Sequence, residues 1–213
     1  MLTSYHLSSL VVDTLCDQAK GKNTAVTYFY FDVSARKEQS ATSILGSLLK
    51  QAIGRMEMIP EEIPRAFYGL RMGIMHPEPQ LPDMVKMLQA IASSLRLYIC
   101  IDALDGCLAI HRAKLLDSLR QILENSLHTR IFITGRAHIR VEIEKHLAGR
   151  VITASISPRK DDIRGYLRLR LDEDEIPGAM DEGLVRDIME KIPENMSEMY
   201  VSMILGILPN TLN

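Results

Sequence analysis

The sequence predicts an α/β protein: a mainly parallel sheet flanked by helices, followed by a small helical subdomain. Three observations carry this. Apolar spacing switches repeatedly between helical and strand period along the chain. The short strand-like runs are separated by helical segments of about ten residues or more, which implies βαβ crossovers. From about residue 158 onward only helical patterns appear, broken near Pro177, Pro193 and Pro209. The 213 residues therefore divide into an α/β core over 1–157 and the start of a helical subdomain over 158–213.

Each element has its own signal. Leu7, Leu10, Val11 and Leu15 recur at helical spacing, so residues 5–20 read as an amphipathic helix, broken at Gly21-Lys22-Asn23. Ala25 to Phe31 is β-branched and aromatic and reads as a buried strand. Ile44, Leu45, Leu48, Leu49 and Ile53 return to helical period, with Ser40 as the N-cap. Five prolines between 56 and 82 predict short helices separated by loops. A helix over 81–94 leads to the apolar strand Leu97 to Asp102. The pattern repeats: a helix through Leu115 to Leu123, a strand Arg130 to Thr134, a helix Ile139 to Leu147, a strand Val151 to Ile156, and a helix Ile163 to Leu171.

Composition narrows the function classes. A hydrophobic share of 46% with 24% charged residues suits a globular chain with a sizeable core. A net charge of −2, no Trp and 5% aromatics argue against nucleic acid as a partner. No apolar run approaches the roughly 20 residues that span a bilayer, and the start lacks a secretory signal pattern. Three scattered cysteines form no CxxC pair and the six histidines lack metal spacing, so reduced thiols in a cytoplasmic protein are expected.

Two segments could carry chemistry. Leu97-Tyr98-Ile99-Cys100-Ile101 delivers Asp102 at the end of an apolar strand, as a Walker B element does, and in open α/β sheets ligands gather at the carboxyl ends of strands. A buried strand closed by a capping Asp fits the same residues. Arg130-Ile131-Phe132-Ile133 ends in Thr134-Gly135-Arg136, and an Arg in that place can address a γ-phosphate through bidentate contacts. Alone it reads equally as a solvated side chain.

Together these residues resemble a known family. Asp102-Ala103-Leu104-Asp105-Gly106-Cys107 is similar to the DALDEC signature of NACHT and nephrocystin 3-like N-terminal domains, found in fungal signalling proteins of the STAND class of P-loop NTPases. The Arg130–Arg136 segment resembles the strand that follows it there. Asp161-Asp162-Ile163-Arg164-Gly165-Tyr166-Leu167 and Ile192 to Tyr200 resemble two later family segments, so the likeness runs nearly the whole chain in order. The resemblance implies binding of ATP or GTP with Mg²⁺, and a nucleotide state that controls oligomerisation of a larger receptor-like protein. It makes Asp102 the Mg²⁺-site acid, Asp105 the second, catalytic acid, and Arg136 the sensor-like residue.

Two departures weaken that activity. No GxxxxGK[ST] occurs, and Gly21-Lys22-Asn23 follows a helix and precedes a strand, the wrong order for a phosphate loop. Gly106 stands where the family places a further acid. The expectation is a regulatory switch or oligomerisation module with impaired nucleotide binding and hydrolysis. The alternatives are an active ATPase or GTPase whose phosphate loop lies upstream, and a non-catalytic interaction scaffold. The resemblance also places a central strand between Arg130–Arg136 and Val151–Ile156, ahead of the phosphate loop. Without it two apolar strands would stand unpaired and the chain would be poorly soluble or molten.

Overall fold

The structure is a computed structural model that describes residues 4–32, 34, 39–56, 59, 63, 79–147, 150–156, 160–172, 181–195 and 199–205. The short helices expected over 56–82 fall mostly outside these residues. Helix α1 (Ser4–Ala19) ends in a turn where the Lys22 N–H bonds the Ala19 carbonyl at 3.0 Å. Gly21 takes φ +69 there, a conformation that only glycine adopts without a Cβ penalty. Strand β1 (Thr24–Tyr30) follows. Helix α2 (Ala41–Ile53) is capped by the Ser40 hydroxyl, which accepts the Ser43 N–H at 3.1 Å. Ala41, Ile44, Leu45, Leu48, Leu49 and Ala52 form its buried stripe at the spacing of one helix face.

Helix α3 (Leu81–Ser94) begins with Pro82 in its first turn, where a missing N–H costs nothing. Strand β2 (Arg96–Asp102) leads through a short 3-10 turn into helix α4 (Ala109–Glu124). Strand β3 (Arg130–Arg136), helix α5 (Arg140–His146) and strand β4 (Val151–Ile156) come next. Helices α6 (Lys160–Asp172) and α7 (Glu182–Asn195) precede strand β5 (Met199–Leu205).

The strands lie in the order β1-β2-β3-β5-β4. The first three are parallel, with Thr24 beside Arg96, Tyr30 beside Asp102 and Ile101 beside Ile133. Alternation sorts their side chains between two faces. Leu97, Ile99, Ile101, Ile131 and Ile133 join α2, α3 and α4 in the main core, whereas Cys100 and Phe132 point the other way and meet Val12 of α1. Helices therefore cover both faces of the parallel strands, which is why these strands read as unbroken apolar runs.

One expectation fails. Residues 199–205 form a strand, not the helix predicted beyond 158, and β5 runs antiparallel between β3 and β4. It takes the place where the sequence predicts an open slot, so the facing backbone groups of β3 and β4 are paired. Among the described residues, no helix is long and apolar enough to cross a membrane.

Candidate functional site

The sheet brings both predicted acids and the predicted arginine to its carboxyl edge. Asp102 is the last residue of β2 and only 1% exposed. A buried carboxylate needs donors, and two hydroxyls supply them. Ser8 Oγ of α1 and Thr134 Oγ1 of β3 each donate to Asp102 Oδ1, both at 2.5 Å. Thr134 Oγ1 in turn accepts the Ala103 N–H at 2.9 Å, which ties β3 to the turn after β2. Beside them, at the end of β1, burial pushes the Tyr30 phenol up, the Ser9 hydroxyl pulls it down, and the charge of Asp102 raises it again.

Ala103 adopts φ 54 and ψ 47, the left-handed region that a residue with a Cβ enters at a cost of about 1–2 kcal/mol. That twist starts the Leu104–Gly106 turn and carries Asp105 over to the end of β3. There Asp105 Oδ1 accepts the Arg136 N–H at 3.2 Å, and the Arg136 guanidinium Nε lies 3.4 Å from Oδ2. Gly135 beside this contact leaves room for Ile139: a Cβ there would stand 2.5 Å from Ile139 Cδ1 and displace that side chain, while meeting Asp105 Oδ1 at an ordinary 3.4 Å. The Arg136 side chain is 75% exposed and Asp105 16%, so the second acid faces the rim while Asp102 lies inside.

Asp102 and Asp105 thus share one strand-to-helix turn but have separate partners. Ser8 and Thr134 went unassigned in the sequence. They lie 94 and 32 residues from Asp102 along the chain, and no spacing rule connects them. A Ser in the helix that packs on the strand, and a Thr at the matching end of the neighbouring strand, were the only available signals.

The donors are all oxygens, the kind that hard divalent cations such as Mg²⁺ take. Mg²⁺ is held through one or two carboxylates, hydroxyl oxygens, waters and phosphates, not by a full protein cage. A buried carboxylate with two hydroxyls at a parallel-sheet edge fits that description. Among the described residues no group of three or more His, Cys, Asp or Glu could hold a metal ion. These residues would therefore hold Mg²⁺ only together with phosphate oxygens and water.

A cleft of about 950 Å³ lies at the opposite, amino-terminal edge, lined in part by Lys20, Lys22, Asn23, Arg55 and Ser94. Neither acid nor Arg136 lines it. Helices α1, α2 and α3 all end there, and cations beside helix C-termini are favourable without any ligand.

A family model described as nephrocystin 3, N-terminal matches residues 5–136, from α1 to the end of β3. No curated protein and no solved structure matches the chain. The matched span covers more than half of the sequence and contains Ser8, Asp102, Asp105, Thr134 and Arg136; the chain belongs to the nephrocystin 3 N-terminal family.

Proposed function

We propose that the chain is a NACHT-type switch module of a STAND signalling protein, a P-loop-like core whose nucleotide binding and hydrolysis are impaired. Residues 1–157 form its nucleotide-binding part, helices α6 and α7 begin a helical appendage, and β5 returns to the sheet. Asp102 is the Mg²⁺-site acid, Asp105 the catalytic acid and Arg136 the sensor-like residue. The observation that supports the impaired state is the engagement of both acids by the chain's own donors. Asp102 is held by Ser8 and Thr134, and Asp105 by Arg136. Each contact competes with a metal or a water for the acid it engages. ATP or GTP with Mg²⁺ is the ligand the site would take, and self-association within a larger receptor-like protein is its output. Titration calorimetry tests this directly. Weak or undetectable heat is expected with Mg²⁺ and ATP or GTP, and a low-micromolar Kd for this chain would sink the reading.

One observation favours the active alternative. Ser8 sits in the second turn of α1, so the positive end of that helix lies at the edge that holds Asp102. A phosphate loop leading into α1 would place phosphates beside the acid. Fusing such a segment from a related family member should create Mg²⁺-nucleotide binding that Asp102→Ala weakens. If the unfused chain hydrolyses ATP and Asp102→Ala abolishes that activity, the active enzyme reading replaces ours.

A further inference from the structure

β5 closes the sheet by joining two strands that do not touch. Arg130–Arg136 of β3 pair with it on one side and Val151–Ile156 of β4 on the other. Among the described residues β4 has β5 as its sole neighbour in the strand order, so there it joins the sheet through β5. The strand comes to this slot by way of α6 and α7, and those helices pack chiefly against each other. Two backbone ladders fix β5 in the sheet. Such ladders meet the same N–H and C=O groups whichever copy of a chain supplies the strand. About forty residues of connection, including α6 and α7, lie between β4 and β5, enough to reach either the chain's own slot or that of a neighbouring copy.

We infer that β5 is an exchangeable strand: two copies of this chain form a two-fold dimer by swapping Met199–Leu205, each inserted between β3 and β4 of the other. The exchange is self-complementary, so it closes at two copies and leaves no open strand to recruit a third. Within one chain the effective concentration of β5 is on the order of millimolar, so a dilute, slowly folded sample favours the closed monomer. Chains that fold together at high concentration capture the exchange. The resulting dimer persists on dilution, because undoing it removes a strand paired on both sides. This device is independent of nucleotide, and it stands or falls separately from the switch function proposed above.

The register supplies the test. Ala154 of β4 faces Val201 of β5, and facing residues in an antiparallel pair bring their Cβ atoms within about 4.5–5.5 Å. Ala154→Cys and Val201→Cys are made as two single variants and as one double variant. Under a glutathione redox buffer the double variant, refolded dilute, should close a bridge within one chain. The mixed single variants, refolded together at high concentration, should yield an inter-chain bridge between positions 154 and 201. Peptide mass spectrometry distinguishes that bridge from one at Cys16, Cys100 or Cys107. Light scattering on the wild-type chain refolded the same way should show a dimer that survives dilution. Co-expression of the two single variants replaces refolding if the chain does not recover from denaturant. A bridged double variant whose mixed single variants stay monomeric overturns the proposal. A double variant that never bridges overturns it too, since the register itself would be wrong.

Discussion

β2 and β4 are both short strands of the same sheet, yet they are built differently. β2 is paired on both sides and covered on both faces, with Leu97, Ile99 and Ile101 at 0% exposure. β4 is an edge strand, and its Ile152 is 57% exposed. The contrast extends to their surroundings. Around β1, β2 and β3, helices α2, α3 and α4 bury whole stripes of Leu, Ile and Ala. Beyond β3, the sheet is completed by an antiparallel strand from a distant part of the chain. Apolar burial drives folding in proportion to area removed from water, so the helix-covered parallel part carries more of the stability than the exposed edge at β4.

The largest expected effect tests that division. Leu88 of α3 is 0% exposed and belongs to the main core. Leu88→Ala should destabilise the chain by about 2–5 kcal/mol in chemical denaturation, the range for a buried leucine that leaves a cavity. Ile152→Ala on β4 should shift the same transition by about 0.5 kcal/mol or less, because that side chain is already largely in water. Equal losses at the two positions would break the comparison. Hydrogen exchange sharpens it: the β5 amides should open at lower free energy than those of β2, as a separate cooperative unit.

The next effect lies at the joint between the two parts. Thr134 is on β3, opposite Val201 of β5, and its hydroxyl serves both Asp102 and the Ala103 N–H. Thr134→Val keeps the shape and removes the hydroxyl. It leaves a part-buried N–H without its acceptor and takes one donor from a buried carboxylate, a loss of about 1–3 kcal/mol. Thr134→Ser keeps both bonds and should recover most of the stability. If serine proves no better than valine, the hydroxyl is not what matters there.

How much of this was legible in the sequence follows the same boundary. Burial on both faces writes β2 and β3 as continuous apolar runs, and burial on one face writes α2 and α4 as stripes, so the parallel part could be read directly. Ser40 as a cap and Asp102 as the end of a strand were legible because their chemistry is local. Met199-Tyr200-Val201-Ser202-Met203-Ile204-Leu205 was not. A short apolar run reads equally as buried helix or buried strand, and only its partners across the sheet decide. The contacts of Asp102 were hidden for a similar reason, since Ser8 and Thr134 reach it by tertiary packing alone. The left-handed Ala103 was hidden too, because nothing in an Ala residue announces φ 54.

A smaller effect appears at high pH. Cys100 points from β2 into the cluster under α1, and burial, assisted by nearby Cys16, pushes its thiol up to about 12 from the ordinary 9.0. The folded chain therefore holds a proton that the unfolded chain releases above about pH 9. The stabilisation is complete below that pH and is lost as pH rises through the folded value, by at most about 1.4 kcal/mol per pH unit. Denaturation midpoints of the wild type and Cys100→Ala, compared at pH 8 and pH 10.5, isolate this term. The wild type should lose the more on going to alkaline pH. A parallel decline in both would show that the thiol ionises freely and that the α1 face is open to water.

The smallest effect is expected at the residue that joins both parts and carries the sensor-like role. Arg136 ends β3, pairs with Met199 of β5, and gives its backbone N–H to Asp105. Its guanidinium approaches Asp105 at 3.4 Å but is 75% exposed, and such ion pairs are screened and cost side-chain entropy to hold. Arg136→Ala removes the guanidinium and keeps the N–H, so the ladder and the backbone bond to Asp105 both survive. Stability should change by about 0.5 kcal/mol or less, and moderate salt should remove most of even that difference. In a chain given a phosphate loop, the same substitution should weaken nucleotide binding out of proportion to its effect on folding. A loss well above 1 kcal/mol in the native chain would make the guanidinium a structural brace between β3 and the Asp105 turn. The arginine would then have no free charge to offer a phosphate, and its proposed role would fall.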